Sequence, residues 1–118
     1  MDIDDMEYLG EEIKIGGKAR HVKYTIKGLK LLSKQYGSVA AAFGKMQTMN
    51  QEFDTETMDN LVLLLQAGLI HEDKGLTTDD VENMLTMANM LTVFNMILRA
   101  FGQSMPKPEE GSEATAGE

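Results

Sequence analysis

Asp54-Thr-Glu-Thr-Met58-Asp-Asn-Leu61-Val62-Leu63-Leu64-Leu65-Gln-Ala-Gly68-Leu69 is the stretch on which the fold of this 118-residue chain turns. Met58, Leu61, Val62, Leu65 and Leu69 recur at three- and four-residue intervals, the spacing that places side chains on one face of an α-helix. Leu63 and Leu64 widen that stripe until most sides are apolar, and a helix apolar on most sides belongs at the centre of a domain. Residues 56 to 69 are therefore predicted to form the core helix. Asp54 or Thr55 is expected to open it by accepting hydrogen bonds from the free amides of the first turn.

Working towards the N-terminus, Ser38 is expected to cap a helix carrying Val39, Phe43 and Met46 on one face, with alanines that permit close approach. Before it, Ile26, Leu29, Leu32 and Tyr36 recur at near-helical spacing, and Gly37 stands where a helix commonly ends in a left-handed residue. Gly28 weakens that helix by about 1 kcal/mol relative to Ala. Glu12-Ile-Lys-Ile15, Gly16-Gly17 and Lys18 to Tyr24 read as a two-stranded hairpin, because Gly-Gly supplies the positive φ values of a tight turn. Ile13, Ile15, Val22 and Tyr24 are its apolar positions. A lone hairpin is marginal, so it must lie against the helices. Residues 1–11 read as a flexible acidic arm.

Working towards the C-terminus, His71 to Gly75 is polar and turn-like. Thr77 or Thr78 is expected to cap a helix with Asp79 and Asp80 in its first turn, favourable against the helix dipole, and with Val81, Met84 and Leu85 facing inward. A last helix is predicted from Met90 to Gln103, separated from its predecessor by a break near Ala88. From Pro106 onward nothing apolar beyond alanine is left to bury, so residues 106–118 are expected to be a disordered acidic tail. The fold class is α+β: one mostly helical domain over residues 12–105 with a small N-terminal β-hairpin.

Charge is sorted along the chain far more strongly than the net value of -8 conveys. Residues 1–12 hold six acids and no base, Ile13 to Gln51 hold eight bases and no acid, and the remainder is acidic again. A basic front half is one requirement for nucleic-acid binding. The acidic flanks would repel a polyanion, however, and no aromatic-rich strand interleaves with the lysines, so no nucleic-acid partner is expected. There is no cysteine, which removes disulfides, thiol nucleophiles and thiolate metal sites together. No apolar run approaches the ~20 residues of a membrane span, so no membrane association is expected. The acidic start lacks the pattern of a secretory signal.

Chemistry is hard to find. His21 and His71 have no second histidine at a ligand spacing, and His71-Glu72-Asp73 are consecutive residues of a turn that seldom converge on one ion. Residues 73 to 84 fail as a calcium loop, with Gly75 at the third position and Met84 at the twelfth. Gly16-Gly17 precedes a strand and not a helix, so it makes no phosphate cradle. No nucleophile has an identifiable base. No enzyme, metal site or cofactor is expected. What stands out is methionine, ten in 118 residues. Its flexible, polarizable side chain suits a surface that adapts to several apolar partners. The last helix is apolar on both flanks, Met90, Val93, Ile97 and Ala100 beside Leu91, Phe94, Leu98 and Phe101, which is more than one small domain is expected to cover.

Two strings, Tyr24-Thr-Ile-Lys-Gly-Leu-Lys-Leu-Leu-Ser-Lys-Gln-Tyr36-Gly37 and Ala67-Gly-Leu-Ile-His-Glu-Asp-Lys-Gly-Leu-Thr-Thr-Asp-Asp-Val81, follow the hairpin and precede the amphipathic last helix. In this order and at this distance they resemble the tail assembly chaperones of siphophages and related prophages, over residues 12 to 105. The resemblance implies a non-catalytic protein that binds the tape measure protein, keeps it soluble and promotes assembly of the tail tube around it. It further implies action in the host cytoplasm, absence from the mature virion, and self-association. In many members a longer product of ribosomal frameshifting recruits the tail tube protein. The methionine load and the alanine-rich Ser38 to Met49 stretch depart from the family's usual look. The residues expected to engage the partner are Met84, Met87, Met90, Leu91, Phe94, Leu98 and Phe101, with a charge at Phe94 or Leu98 expected to abolish binding while the chain stays helical. The rival readings are a small connector protein retained in the phage tail, and a nucleic-acid-binding regulator using Lys14 to Lys45, whose affinity would fall steeply with salt.

Overall fold

A computed structural model describes residues 9–49 and 52–104. Residues 1–8 of the arm predicted over 1–11, and the predicted tail over residues 106–118, lie outside them. Among the described residues the order is β1 (Glu11–Ile15), β2 (Lys18–Val22), α1 (Ile26–Tyr36), α2 (Val39–Thr48), α3 (Thr55–Leu69), α4 (Thr78–Met84) and α5 (Met90–Ser104). The fold is α+β, a two-stranded antiparallel hairpin followed by helices. Gly16 and Gly17 turn the hairpin with φ of 65° and 83°, the pair of positive values that a type I′ turn requires. The strand begins one residue earlier than expected: Glu11 pairs with Val22, and its carboxylate accepts from Arg99 Nε of α5 at 3.1 Å. The second strand, β2, ends earlier than expected, at Val22, because the Lys23 amide donates to the Gly68 carbonyl at the end of α3.

Helix α3 runs through the centre, as its sequence requires, burying Leu61, Val62, Leu64, Leu65, Ala67, Gly68 and Leu69. The Asp54 carboxylate accepts from the Thr57 amide at 2.9 Å and opens the helix. The hairpin lays Ile13, Ile15 and Val22 on the core, and Tyr24 follows them in, its hydroxyl donating to the Leu64 carbonyl at 2.6 Å and its ring meeting Phe101 edge-on at 5.1 Å. Thr25 caps α1 and left-handed Gly37 ends it. Where α1 crosses α3, Gly28 lies so close to the Ala67 carbonyl that a β-carbon would collide with it. The glycine that looked like a weakness in α1 is the point of closest helix contact. Farther along the same crossing, the Tyr36 hydroxyl donates to Asn60 Oδ1 at 2.7 Å.

Two expected apolar stripes rotate in the structure. Ile26 is 71% exposed, because Gly28 and Leu32 set the inward face of α1 and the first helical position points away from it. In α2 the inward residues are Ala42 and Met46, while Phe43 sits half-exposed at the edge, stacked on Phe101 at 5.6 Å. The break between α4 and α5 falls at residues 85–89. Thr86 and Asn89 hold it reciprocally, with Thr86 N donating to Asn89 Oδ1 at 2.8 Å and Asn89 N to Thr86 Oγ1 at 3.3 Å, and Asn89 Nδ2 also donates to the Met84 carbonyl.

The turn after α3 is attached to the sheet and not simply solvated. His71 Nε2 meets the His21 carbonyl at 2.8 Å, and the His21 amide donates to Glu72 Oε1 at 2.9 Å. Both backbone groups of His21 are thereby satisfied on the outer edge of β2, where an open strand edge would invite pairing with another chain. Burial alone would raise the Glu72 carboxyl, but the backbone and ring hydrogen bonds from His21 and the charge of both histidines outweigh it and hold the group below its usual range. Beside it, buried Arg20 donates from Nε to the Ile15 carbonyl at 3.1 Å and reaches Asp73 at 3.5 Å.

Both described tyrosines resist ionisation. Burial, with the neighbouring Tyr36 adding to it, pushes Tyr24 far up, and burial pushes Tyr36 from 10.0 up to about 12. An unfolded chain gives up these protons from pH 10 while the native chain keeps them, so the unfolded state binds fewer protons and stability falls as pH rises from 10 through about 12. Urea midpoints at about pH 9 and about pH 11 are expected to show that fall, with a shallower slope for Tyr36→Phe. An unchanged slope would mean that Tyr36 ionises freely in the native state.

Candidate partner-binding surface

The seven residues proposed to engage a partner divide into an outward and an inward set. Met87, in the turn before α5, is 82% exposed, and Leu91 and Leu98 on α5 are 46% and 39% exposed. Leu91 and Leu98 are seven residues apart, on one side of α5, and Met87 precedes them in the turn. Met90, Phe94 and Phe101 point the other way, into the core. Phe94 is 7% exposed and meets Phe53 edge-on at 6.3 Å; Phe101 is enclosed by Tyr24 and Phe43. A charge at Phe94 would therefore be buried without a partner and would test folding and not binding. Leu98 remains available for that test. Met84 is half-buried and folds over the hairpin turn, its thioether against Gly16.

The row on Val93, Ile97 and Ala100 is entirely buried, together with Met90. Of the two apolar flanks of α5, one is wholly buried and the other is exposed only at Leu91 and Leu98, its Phe94 and Phe101 being buried.

A groove not legible from the sequence opens beside this row. Met58 and Val62 of α3 form one wall, and Leu85, Met87 and Met90 at the α4–α5 junction form the other, enclosing about 370 Å³. Asp59 and Glu82 stand on its rim with Thr55 and Thr86, and among the described residues no base lines it. The break between α4 and α5 creates the groove, because Thr86 and Asn89 turn the chain so that Met87 stands clear of both helices. The spacing places Met58 on the core stripe of α3, but it is 38% exposed and lines the groove together with Asp59.

Among the described residues, no group of three or more His, Asp or Glu side chains is placed to hold a metal ion, and no helix is long and apolar enough to cross a membrane. His21 and Glu72 approach to 2.8 Å, but the pair is engaged in attaching the turn to β2. The chemistry this surface offers is the reversible burial of flexible apolar side chains inside an acidic rim. The chain matches no family model, no curated protein and no solved structure.

Proposed function

We propose that this chain is a bacteriophage tail assembly chaperone that binds the tape measure protein in the host cytoplasm, keeps it soluble and promotes assembly of the tail tube around it. The observation that carries the reading is the unpartnered row Met87, Leu91 and Leu98 beside a methionine-lined groove, on a small domain whose clustered polar residues are engaged in holding the fold. The two strings that resemble the family also fall on capped elements: Thr25 and Gly37 bound α1, and Thr77 with Asp80 forms a capping box opening α4. The mechanism is mass action. A factor that covers an exposed apolar helix lowers its free concentration below what aggregation needs. Methionine adapts to the changing side chains of a long client at little cost in strain. Tail tube protein would join through a longer form of the chain, and the protein would leave before the virion is complete.

Co-expression with the tape measure protein encoded nearby, followed by affinity capture, is the direct test. Rescued solubility and co-purification are expected. Met87→Glu and Leu98→Glu each replace an apolar side chain whose burial contributes about 1.5–3 kcal/mol. Each should lower capture roughly tenfold or more while leaving the far-ultraviolet circular dichroism unchanged. If the client stays insoluble with the wild-type chain, the chaperone reading is wrong. If it is rescued equally by both variants, the client binds another face.

A further inference from the structure

Lys27, Lys30 and Lys34 are exposed on α1, and with Leu31 and Ile70 they line a cleft of about 260 Å³. Among the described residues no acid lines this cleft, and none of the three lysines is in an ion pair. Lysines around an apolar floor suit an occupant that carries negative charge and a bulky apolar side chain. The cleft shares no residue with the groove at Met87.

The chain enters the described fold next to this cleft. Gly10 lies against the exit of β2, where a β-carbon would stand 3.1 Å from that of Lys23. Lys23 precedes Lys27 by four residues, and its amide donates to the Gly68 carbonyl, two residues before Ile70. Leu9, just ahead of Gly10, is 65% exposed. The eight residues before Leu9 hold Asp2, Asp4, Asp5 and Glu7 and no base, interleaved with Ile3, Met6 and Tyr8. Residues 106–118 are acidic as well but hold no Leu, Ile, Met or aromatic residue for the cleft. Eight extended residues span about 26–29 Å, and Lys27 to Lys34 covers about 10 Å of helix. A segment attached beside Lys23 therefore has the length to meet all three lysines.

We infer that the occupant of the cleft is the chain's own segment of residues 1–8, bound within the same molecule, its acids against Lys27, Lys30 and Lys34 and an apolar side chain between Leu31 and Ile70. Exposed ion pairs are individually weak. Covalent attachment compensates, because it raises the effective concentration of the segment to the order of mM. The consequence is a shield: the basic face of α1 is covered by acids of the same chain, and a free polyanion must displace them before it can bind. A face covered about nine-tenths of the time binds such a competitor about tenfold more weakly. The inference does not depend on the identity of any client.

Paramagnetic NMR on the full chain tests it. The chain has no cysteine, so Gln35→Cys, exposed on α1 one turn beyond Leu31 and outside the cleft, takes a single nitroxide label. The amides of residues 1–8 are expected to be broadened by the label. The broadening is expected to be lost in Asp2→Asn/Asp4→Asn/Asp5→Asn/Glu7→Gln, and to weaken as added salt shortens the screening length from about 10 Å to about 3 Å. An isotope-labelled chain without nitroxide, mixed with a nitroxide-bearing chain without isotope, is expected to show none. On immobilised heparin the variant with the four neutralised acids is expected to bind about tenfold more tightly than the wild type, and Lys27→Gln/Lys30→Gln/Lys34→Gln in the same chain is expected to abolish that gain. Absence of broadening in the wild-type background would overturn the proposal, as would broadening that survives neutralisation of the acids. Broadening in the mixture would place the segment on a second copy and overturn it equally. A heparin gain that persists without the three lysines would show that they are not what the segment covers. If circular dichroism shows the lysine variant to be unfolded, Lys30→Gln/Lys34→Gln replaces it and the same outcomes decide.

Discussion

Gly28→Ala is expected to destabilise the domain by about 2 kcal/mol, against the direction that helix propensity gives. In an exposed helix the exchange would gain up to ~1 kcal/mol, since alanine loses less backbone freedom on folding. Here the added methyl group would land on the Ala67 carbonyl. That atom belongs to the backbone of the central helix, and no rotamer change can move it aside. Helix α1 must lift away from α3, loosening Leu32 and the Tyr36–Asn60 hydrogen bond on the same contact. Overpacking of this kind costs about 1–3 kcal/mol and exceeds the propensity gain. Gly44→Ala is the control, because the space around Gly44 in α2 is open and the substitution should stabilise by roughly 0.5–1 kcal/mol. Urea denaturation of the two variants should give midpoints on opposite sides of the wild type. Two stabilised variants would mean that α1 and α3 do not approach as described.

Phe101→Ala is expected to have a larger effect still, about 3–5 kcal/mol. Its ring is fully buried, edge-on to Tyr24 of the hairpin exit and stacked on Phe43 of α2, so its removal opens a cavity where three elements meet. Native domains are stable by only ~5–15 kcal/mol, and the variant should be partly unfolded at physiological temperature. Leu98→Ala, three residues earlier on the same helix, should cost less than ~1 kcal/mol because Leu98 is already half in water. The contrast separates the inward and outward sides of α5 by thermal melting alone. Equal losses at both positions would show that the helix is rotated.

The signals that proved legible were local. The Ser38 cap, the Gly16-Gly17 turn and the apolar excess of α3 each act within a few residues and are found where the sequence places them, and of the alternatives Asp54 or Thr55 and Thr77 or Thr78 the structure takes Asp54 and Thr77. What could not be read depends on segments far apart. The inward stripe of α1 is centred on Gly28, which has no side chain to mark it, so hydrophobic periodicity shifted the face towards Ile26. On α5 both flanks are apolar, and which one is covered was decided by Tyr24, Phe43 and Phe53 arriving from three other elements. The burial of Arg20 depends on Asp73, fifty-three residues away, and on the Ile15 carbonyl across the turn. The groove is a property of the break between α4 and α5 and of the part of α3 it faces. Of the seven residues expected to engage a partner, Met87, Leu91 and Leu98 are exposed, Met84 is half-buried, and Met90, Phe94 and Phe101 are buried, a division set by the elements packed against α5.

The Tyr24–Phe101 contact and the Glu11–Arg99 pair join the hairpin and its exit to α5, the latter pair eighty-eight residues apart. During synthesis the hairpin leaves the ribosome before the helices, yet a two-stranded hairpin has little stability of its own. Its apolar face of Ile13, Ile15 and Val22 waits for α3, and Tyr24 waits for α5. The nascent chain therefore passes most of its translation without a closed core. Completion comes only when α5 is released, so a ribosome stalled before Met90 would hold a protease-sensitive chain, and one stalled well beyond Ser104 a resistant domain.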